Sequence, residues 1–323
     1  MKKIFPYVVL MFAFLANSVC ANTMIPVDAE DDESINVVSN TLPLADPYIL
    51  VYDGMYYIYG TNANIGFDVY FSKYLEDWQK ASALSLEKSN SYGEKWFWAP
   101  EVYYVEKEKK FCMFYSTEEH ICVATSDSPL GPFKQEEKKP IREEKGIDTS
   151  VFFDDDGKAY LYFVRFTDGV IWCAELKDNL REIKDETLTQ CVKAEDEWEL
   201  ILPKVTEGPS VIKKDGEYYL IYSANGYTSQ DYAVGFARSK SPYGPWEKYE
   251  YNPVLHKNDG LFGVGHGAPF VDLNGKMRYV FHAHKSKDEI HPRDSYIVDM
   301  DMTDGKISIG GNIIKPKVVD KLP

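Results

Sequence analysis

One hairpin phrase recurs along the chain and constrains its fold more than any other feature: a stiff corner, a short apolar strand, an Asp-Gly or Asn-Gly turn and a tyrosine-rich strand. Its fullest form runs over residues 206–223, where strand-like runs at 209–213 and 217–223 flank Lys214-Asp215-Gly216. Asp-Gly between apolar runs is a strong hairpin signal. The same order appears at Asp46-Pro47-Tyr48-Ile49 with Asp53-Gly54, and at Ala99-Pro100-Glu101-Val102 with a Lys/Glu turn. It appears again at Asp148-Thr149-Ser150-Val151 with Asp156-Gly157, and at Ala268-Pro269-Phe270-Val271 with Asn274-Gly275. These five copies recur every roughly fifty to sixty residues, the range in which each repeat is one unit that buries its faces against its neighbours. A third strand reads at 121–126 and 233–239, and Ser128-Pro129-Leu130-Gly131-Pro132-Phe133 and Ser241-Pro242-Tyr243-Gly244-Pro245-Trp246 turn the chain toward a fourth. With no helical period between the repeats, the expectation is an all-β fold, a five-bladed β-propeller.

Residues 1–21 carry Lys2 and Lys3, an apolar run over 4–16 and a small, polar end, which is the pattern of a secretory signal peptide. Cleavage after Ala21 and an exported protein, periplasmic or secreted, are expected; a lipid anchor at Cys20 is the alternative. The apolar run is too short for a membrane span. An acidic run at 28–33 makes residues 22–42 an expected flexible arm, and the propeller is expected over 43–323. The net charge of −15 argues against nucleic acid or an anionic membrane surface as partner and favours a neutral ligand. Cys112, Cys122, Cys173 and Cys191 show no metal-type spacing; Cys112 and Cys122 are placed for either a cross-strand bond or two buried thiols. Aromatic residues make up 15% of the chain, and most of its 24 tyrosines are expected to serve as blade packing.

The inner strands of a propeller all start around one end of the axis, so the residues just before them share a funnel. Here those are Asp46, Trp98, Asp148, Glu207 and His266. Three carboxylates brought together make a poor structural core, because unpaired buried charge is costly; they point to chemistry instead. Hydrolysis of a glycosidic bond with inversion needs one protonated carboxyl and one ionised carboxylate on opposite faces of the sugar. A third carboxylate beside the acid would raise its pKa. An aromatic such as Trp98 can stack on a sugar or cap the funnel wall.

These residues resemble glycoside hydrolase family 43. The resemblance rests on Ala45-Asp46-Pro47, Trp98-Ala99-Pro100-Glu101-Val102, Ile147-Asp148 with Phe152 to Gly157, Glu207-Gly208-Pro209 and Gly265-His266-Gly267, in order over 45–300. It implies an inverting glycosidase with Asp46 as general base, Glu207 as general acid and Asp148 tuning that acid. It also implies that His266 lies under the sugar site, in some members near a calcium or a water on the axis, and that Arg293 contacts substrate. No cofactor is required by this chemistry; the calcium would be structural. The Trp-Ala-Pro-Glu-Val-Tyr-Tyr and Thr-Glu-Gly-Pro phrases look most like the arabinofuranosidase and xylosidase branches. Removal of terminal α-L-arabinofuranose from plant-type saccharides by a monomeric enzyme is the expectation, with β-xylosidase and β-galactofuranosidase as alternatives. A carbohydrate-binding propeller without activity is the alternative of another class, since fold alone does not establish catalysis.

Overall fold

A computed structural model of the chain describes residues 35–323 except 63, 258 and 259. The expected signal peptide and the alternative anchor at Cys20 lie outside the described residues. Five sheets, antiparallel but for one pair at the edge of blade I, form the blades. The inner strands are Ala45–Tyr52, Trp98–Val105, Gly146–Phe153, Thr206–Lys214 and Gly265–Val271, one in each of blades I to V. Each pairs with the tyrosine-rich strand that follows its turn: Met55–Thr61, Lys110–Thr117, Ala159–Arg165, Glu217–Ala224 and Met277–Ala283. Blades III to V have four strands and blade II has three. After the Pro-Leu-Gly-Pro phrase of blade II the chain makes only a single bridge, Thr125 to Lys134, where blade IV completes a short outer strand, Glu247–Lys248.

The core lies between blades, because each sheet is apolar on both faces. Phe114 of blade II packs with Leu161 and Phe163 of blade III. Tyr162 of blade III packs with Leu220 and Tyr222 of blade IV. Equivalent clusters join IV to V, V to I and I to II, which closes the ring. Cys112 belongs to the cluster on one face of blade II and Cys122 to the cluster on the other. Their register partners, Thr125 and Tyr115, confirm opposite faces, so the cross-strand bond is ruled out and both are buried free thiols.

The folded body begins before Pro43, which corrects the expected end of the arm. Val37–Ser39 pairs with Lys317–Val319, and that strand lies parallel to Asp77–Lys80 on the outer edge of blade I. Leu42 is fully buried, and its carbonyl accepts the N–H of Ser295. The acidic composition of 28–33 says nothing about the apolar residues that follow, and Leu42 and Leu44 find a place against blades V and I.

Candidate active site

Every inner strand carries the same defect near its start. Between Ala45 and Tyr48 the inner strand has one residue more than its partner, Thr61 to Tyr59, and the identical slip occurs at 98–101, 147–150, 207–210 and 265–268. These are β-bulges, and the bulged residue is left-handed in all five: Asp46 (φ 51°), Ala99 (44°), Asp148 (55°), Gly208 (55°) and His266 (40°). Four of them are not glycine. Such residues cost on the order of 1–3 kcal/mol each and persist where the surroundings enforce them, which is characteristic of functional sites. Gly208 has a second reason to lack a side chain, since a Cβ there would lie 2.9 Å from the His266 ring.

The bulges refine the equivalence expected from sequence. Asp46, Asp148 and His266 occupy one position of the repeat, whereas Trp98 and Glu207 stand one residue earlier, beside Ala99 and Gly208. Trp98 accordingly stacks on Trp96, with centroids 6.1 Å apart and planes 12° apart, while Ala99 is the residue that lines the axis. Glu207 still reaches the centre: its carboxyl, that of Asp148 and the His266 ring have ligand atoms all within 4.8 Å of one another.

The peptide N–H exposed at each bulge is taken up by the preceding blade. Ala99 donates to Thr61 Oγ1 (2.8 Å), Asp148 to Ser116 Oγ (3.0 Å), His266 to Ser223 Oγ (2.8 Å) and Asp46 to His282 Nδ1 (3.1 Å). The acceptors are equivalent, each standing at the end of a second strand. Blade III has Val164 at that place, and Val164 has nothing to offer. The N–H of Gly208 donates instead to Asp148 Oδ2, at 3.3 Å. One apolar residue thereby turns the Asp148 carboxylate toward the strand that carries Glu207.

Arg293 and His266 set the charge of Asp46. Arg293 Nη1 lies 2.9 Å from Asp46 Oδ1, and His266 Nδ1 lies 3.4 Å from it. Burial alone would raise the pKa of Asp46, but Arg293, His266 and His282 outweigh it and hold the carboxyl well below the usual range, so Asp46 is ionised. Glu207 is driven the other way. Burial first, then the charge of Asp148, push it up to about 7, against the pull of His266 and the Tyr232 hydroxyl. Asp148 is likewise raised to about 7 by burial and by Asp46. Two carboxyls this close titrate as a pair, so near neutral pH the pair holds a single proton between them.

Arg293 also lies with its guanidinium carbon 4.4 Å above the Tyr227 ring. His282 is fully buried, and its pKa falls to about 3 through burial and Arg293, so it is neutral. A neutral imidazole has one acceptor nitrogen; at His282 the Asp46 N–H takes Nδ1, and Arg293 Nη1 lies 3.2 Å from Nε2. Tyr232, Tyr227 and His282 were not singled out from sequence. Tyr232 and Tyr227 sit in the loop between the second and third strands of blade IV, and such loops open on the funnel end; that topology was the available signal.

The protein groups on the axis supply only part of a calcium shell. Calcium takes six to eight oxygen ligands, waters included, and the group on the axis offers two carboxylates and one imidazole. The axial cavity is lined by Asp46, Glu101, Asp148 and His266. Glu101 at its wall is pushed up to about 8, by burial above all, and bonds to the Tyr103 hydroxyl.

Similarity to known proteins points to one family. The model of glycosyl hydrolases family 43 matches residues 36–307. A structure described as an endo-1,4-beta-xylanase from Bacteroides thetaiotaomicron VPI-5482 is 56% identical, with a TM-score of 0.85 over 88% of this chain and 99% of that one. A thermostable family-43 glycoside hydrolase is 35% identical, with a TM-score of 0.77 over 85% of this chain and 95% of that one. Among curated proteins, a xylosidase/arabinosidase of Butyrivibrio fibrisolvens is 34% identical over 166 residues, 49% of this chain and 32% of that protein. A beta-D-galactofuranosidase of Aspergillus niger is 25% identical over 261 residues, 74% of this chain and 73% of that protein. The match thus spans about a third of the first relative and about three quarters of the second. Among the described residues no helix is long and apolar enough to cross a membrane.

Proposed function

The chain belongs to glycosyl hydrolases family 43, and from that premise we propose that it is an inverting glycosidase with Asp46 as general base and Glu207 as general acid. The observation that carries this reading is the opposed surroundings of the two groups, Arg293 2.9 Å from Asp46 and Asp148 beside Glu207. Asp46 is kept ionised by Arg293 and His266, while Glu207 is kept protonated toward neutral pH by burial and Asp148. Environments that push two titratable groups apart assign base and acid. In the reaction, water attacks the anomeric carbon and gives its proton to Asp46 as the bond to the leaving oxygen breaks. Glu207 protonates that oxygen. Solvent then resets both carboxyls. Asp148 supports the step by keeping the proton on Glu207 and by bonding to the N–H of the residue after it. Arg293 borders the sugar site over Tyr227, and the Trp96 and Trp98 pair supplies an aromatic wall.

For the sugar, the phrases shared with the arabinofuranosidase and xylosidase branches support terminal α-L-arabinofuranose as the first reading. A second reading, β-D-xylose, is favoured by the 56% identical structure, whose description names a xylan-cleaving activity. Both place the enzyme on plant-type polysaccharides, and export fits a polymeric substrate. Purified protein assayed on aryl α-L-arabinofuranoside, β-D-xyloside and β-D-galactofuranoside separates the readings. Proton NMR of the first product formed should show the anomeric configuration opposite to substrate; retained configuration would make Asp46 a nucleophile and overturn the assignment. Turnover of none of the three would leave the carbohydrate-binding alternative.

A further inference from the structure

We infer that Tyr232 is a positioning residue for the general acid, selecting which oxygen of Glu207 carries the catalytic proton. The inference rests on Glu207 being the acid. Tyr232 stands immediately before the third strand of blade IV, Ala233–Ser239, and is fully buried. Its hydroxyl lies 2.7 Å from Glu207 Oε1. Among the described residues no other side chain hydrogen-bonds that carboxyl, although Asp148, His266 and Asp46 all face it.

The direction of the bond follows from what each group can do. A buried phenol must place its O–H on an acceptor or pay for leaving it bare, and Glu207 Oε1 is the acceptor within reach. Burial and the surrounding carboxylates raise the phenol well above its ordinary range, so it never gives up that hydrogen. Oε1 is therefore occupied as an acceptor. The acid's own proton is left to Oε2.

The ring is held as firmly as the hydroxyl. It stacks on His282, with centroids 5.7 Å apart and planes 14° apart, and His282 is the ring beside the Asp46 N–H. On its edge it packs over Gly265, where a Cβ would lie 2.3 Å from Tyr232 Cε1. The first glycine of Gly265-His266-Gly267 thus has a reason to be glycine: it leaves space for the tyrosine that orients the acid. One aromatic pair, Tyr232 on His282, bridges the acid of blade IV and the base of blade I.

The test uses leaving-group dependence, which a merely structural role would not move. Phenyl and 2,4-dinitrophenyl glycosides of α-L-arabinofuranose and β-D-xylose are compared, because the dinitrophenolate departs without a proton and the phenolate does not. Tyr232→Phe keeps the ring and removes the hydroxyl. It should lower kcat on the phenyl glycoside about tenfold or more, yet lower it less than about threefold on the dinitrophenyl glycoside, with KM nearly unchanged, since a misdirected acid forfeits part of a roughly hundred- to ten-thousandfold effect. Equal losses on both substrates, or no loss on either, overturn the inference. Gly265→Ala, which displaces the ring, should give the same split and serves if Tyr232→Phe does not fold. Glu207→Gln run alongside keeps the two ideas apart. A split in Glu207→Gln with none in Tyr232→Phe removes the role of Tyr232 alone, whereas no split in Glu207→Gln removes the acid assignment beneath it.

Discussion

Replacing Asp148 by Asn tests the electrostatics of the acid most directly, because it removes a charge while leaving an oxygen for the Gly208 N–H. The carboxyl oxygens of Asp148 and Glu207 lie within 4.8 Å. At an effective dielectric constant of about 20, two unit charges at that distance repel by roughly 3.5 kcal/mol, or about 2.5 pKa units at roughly 1.4 kcal/mol per unit. That is a ceiling. It equals the whole rise of Glu207 from 4.5 to about 7, of which burial is the largest cause. Asp148 is itself only partly ionised near neutrality. The expected shift is therefore about one unit. Its sign follows from the role: Glu207 must be protonated to act, a negative neighbour makes ionisation harder, and removing that neighbour lets Glu207 ionise at lower pH. The basic limb of kcat/KM against pH, which reports the free enzyme, should move down by about one unit, while the acidic limb set by Asp46 should move less. A basic limb that stays in place or rises would refute the argument and leave Asp148 as a ligand for a sugar hydroxyl.

Arg293→Ala should move the acidic limb up by about one to three units, because Asp46 loses the cation that keeps it ionised; Arg293→Lys should move it less, and an unmoved limb for both would deny Arg293 that role. Asp46→Asn should lose activity on phenyl and dinitrophenyl glycosides alike, by at least about a hundredfold, and azide should partly restore Asp46→Ala on the dinitrophenyl substrate; a variant spared on the activated substrate would not be a base. Leu42→Ala should cost about 2–5 kcal/mol of stability, read as a lower denaturant midpoint, since Leu42 is fully buried against blades V and I. A cost under about 1 kcal/mol would mean that 35–42 contribute little to the ring.

What could be read without tertiary structure was whatever obeys local rules. Asp53-Gly54, Asp156-Gly157, Asp215-Gly216 and Asn274-Gly275 each require a left-handed backbone, and all of these residues but Asp156 and Asn274 have positive φ. The strands on either side follow from β-branched and aromatic runs that suit a pleated, buried surface. Equal spacing of such hairpins leaves closure into a ring as the way to cover every face. The positions of Asp46, Asp148, Glu207 and His266 at strand starts were legible for the same reason, as was the residue type needed at each.

Residues far apart in the chain decided the rest. The bulges displace Trp98 and Glu207 by one position from Asp46, because an extra residue in one strand is visible only against its partner's register. Tyr232 and His282 come from loops and strand ends whose meeting depends on how blades IV, V and I pack. Val164, an unremarkable buried valine by sequence, matters because the other four blades offer Thr61, Ser116, Ser223 and His282 where it offers nothing. The composition named the carboxyls, but it could not say which would be charged. Ionisation depends on burial and on cations a few ångströms away, and Arg293 reaches Asp46 only after the last blade closes against the first.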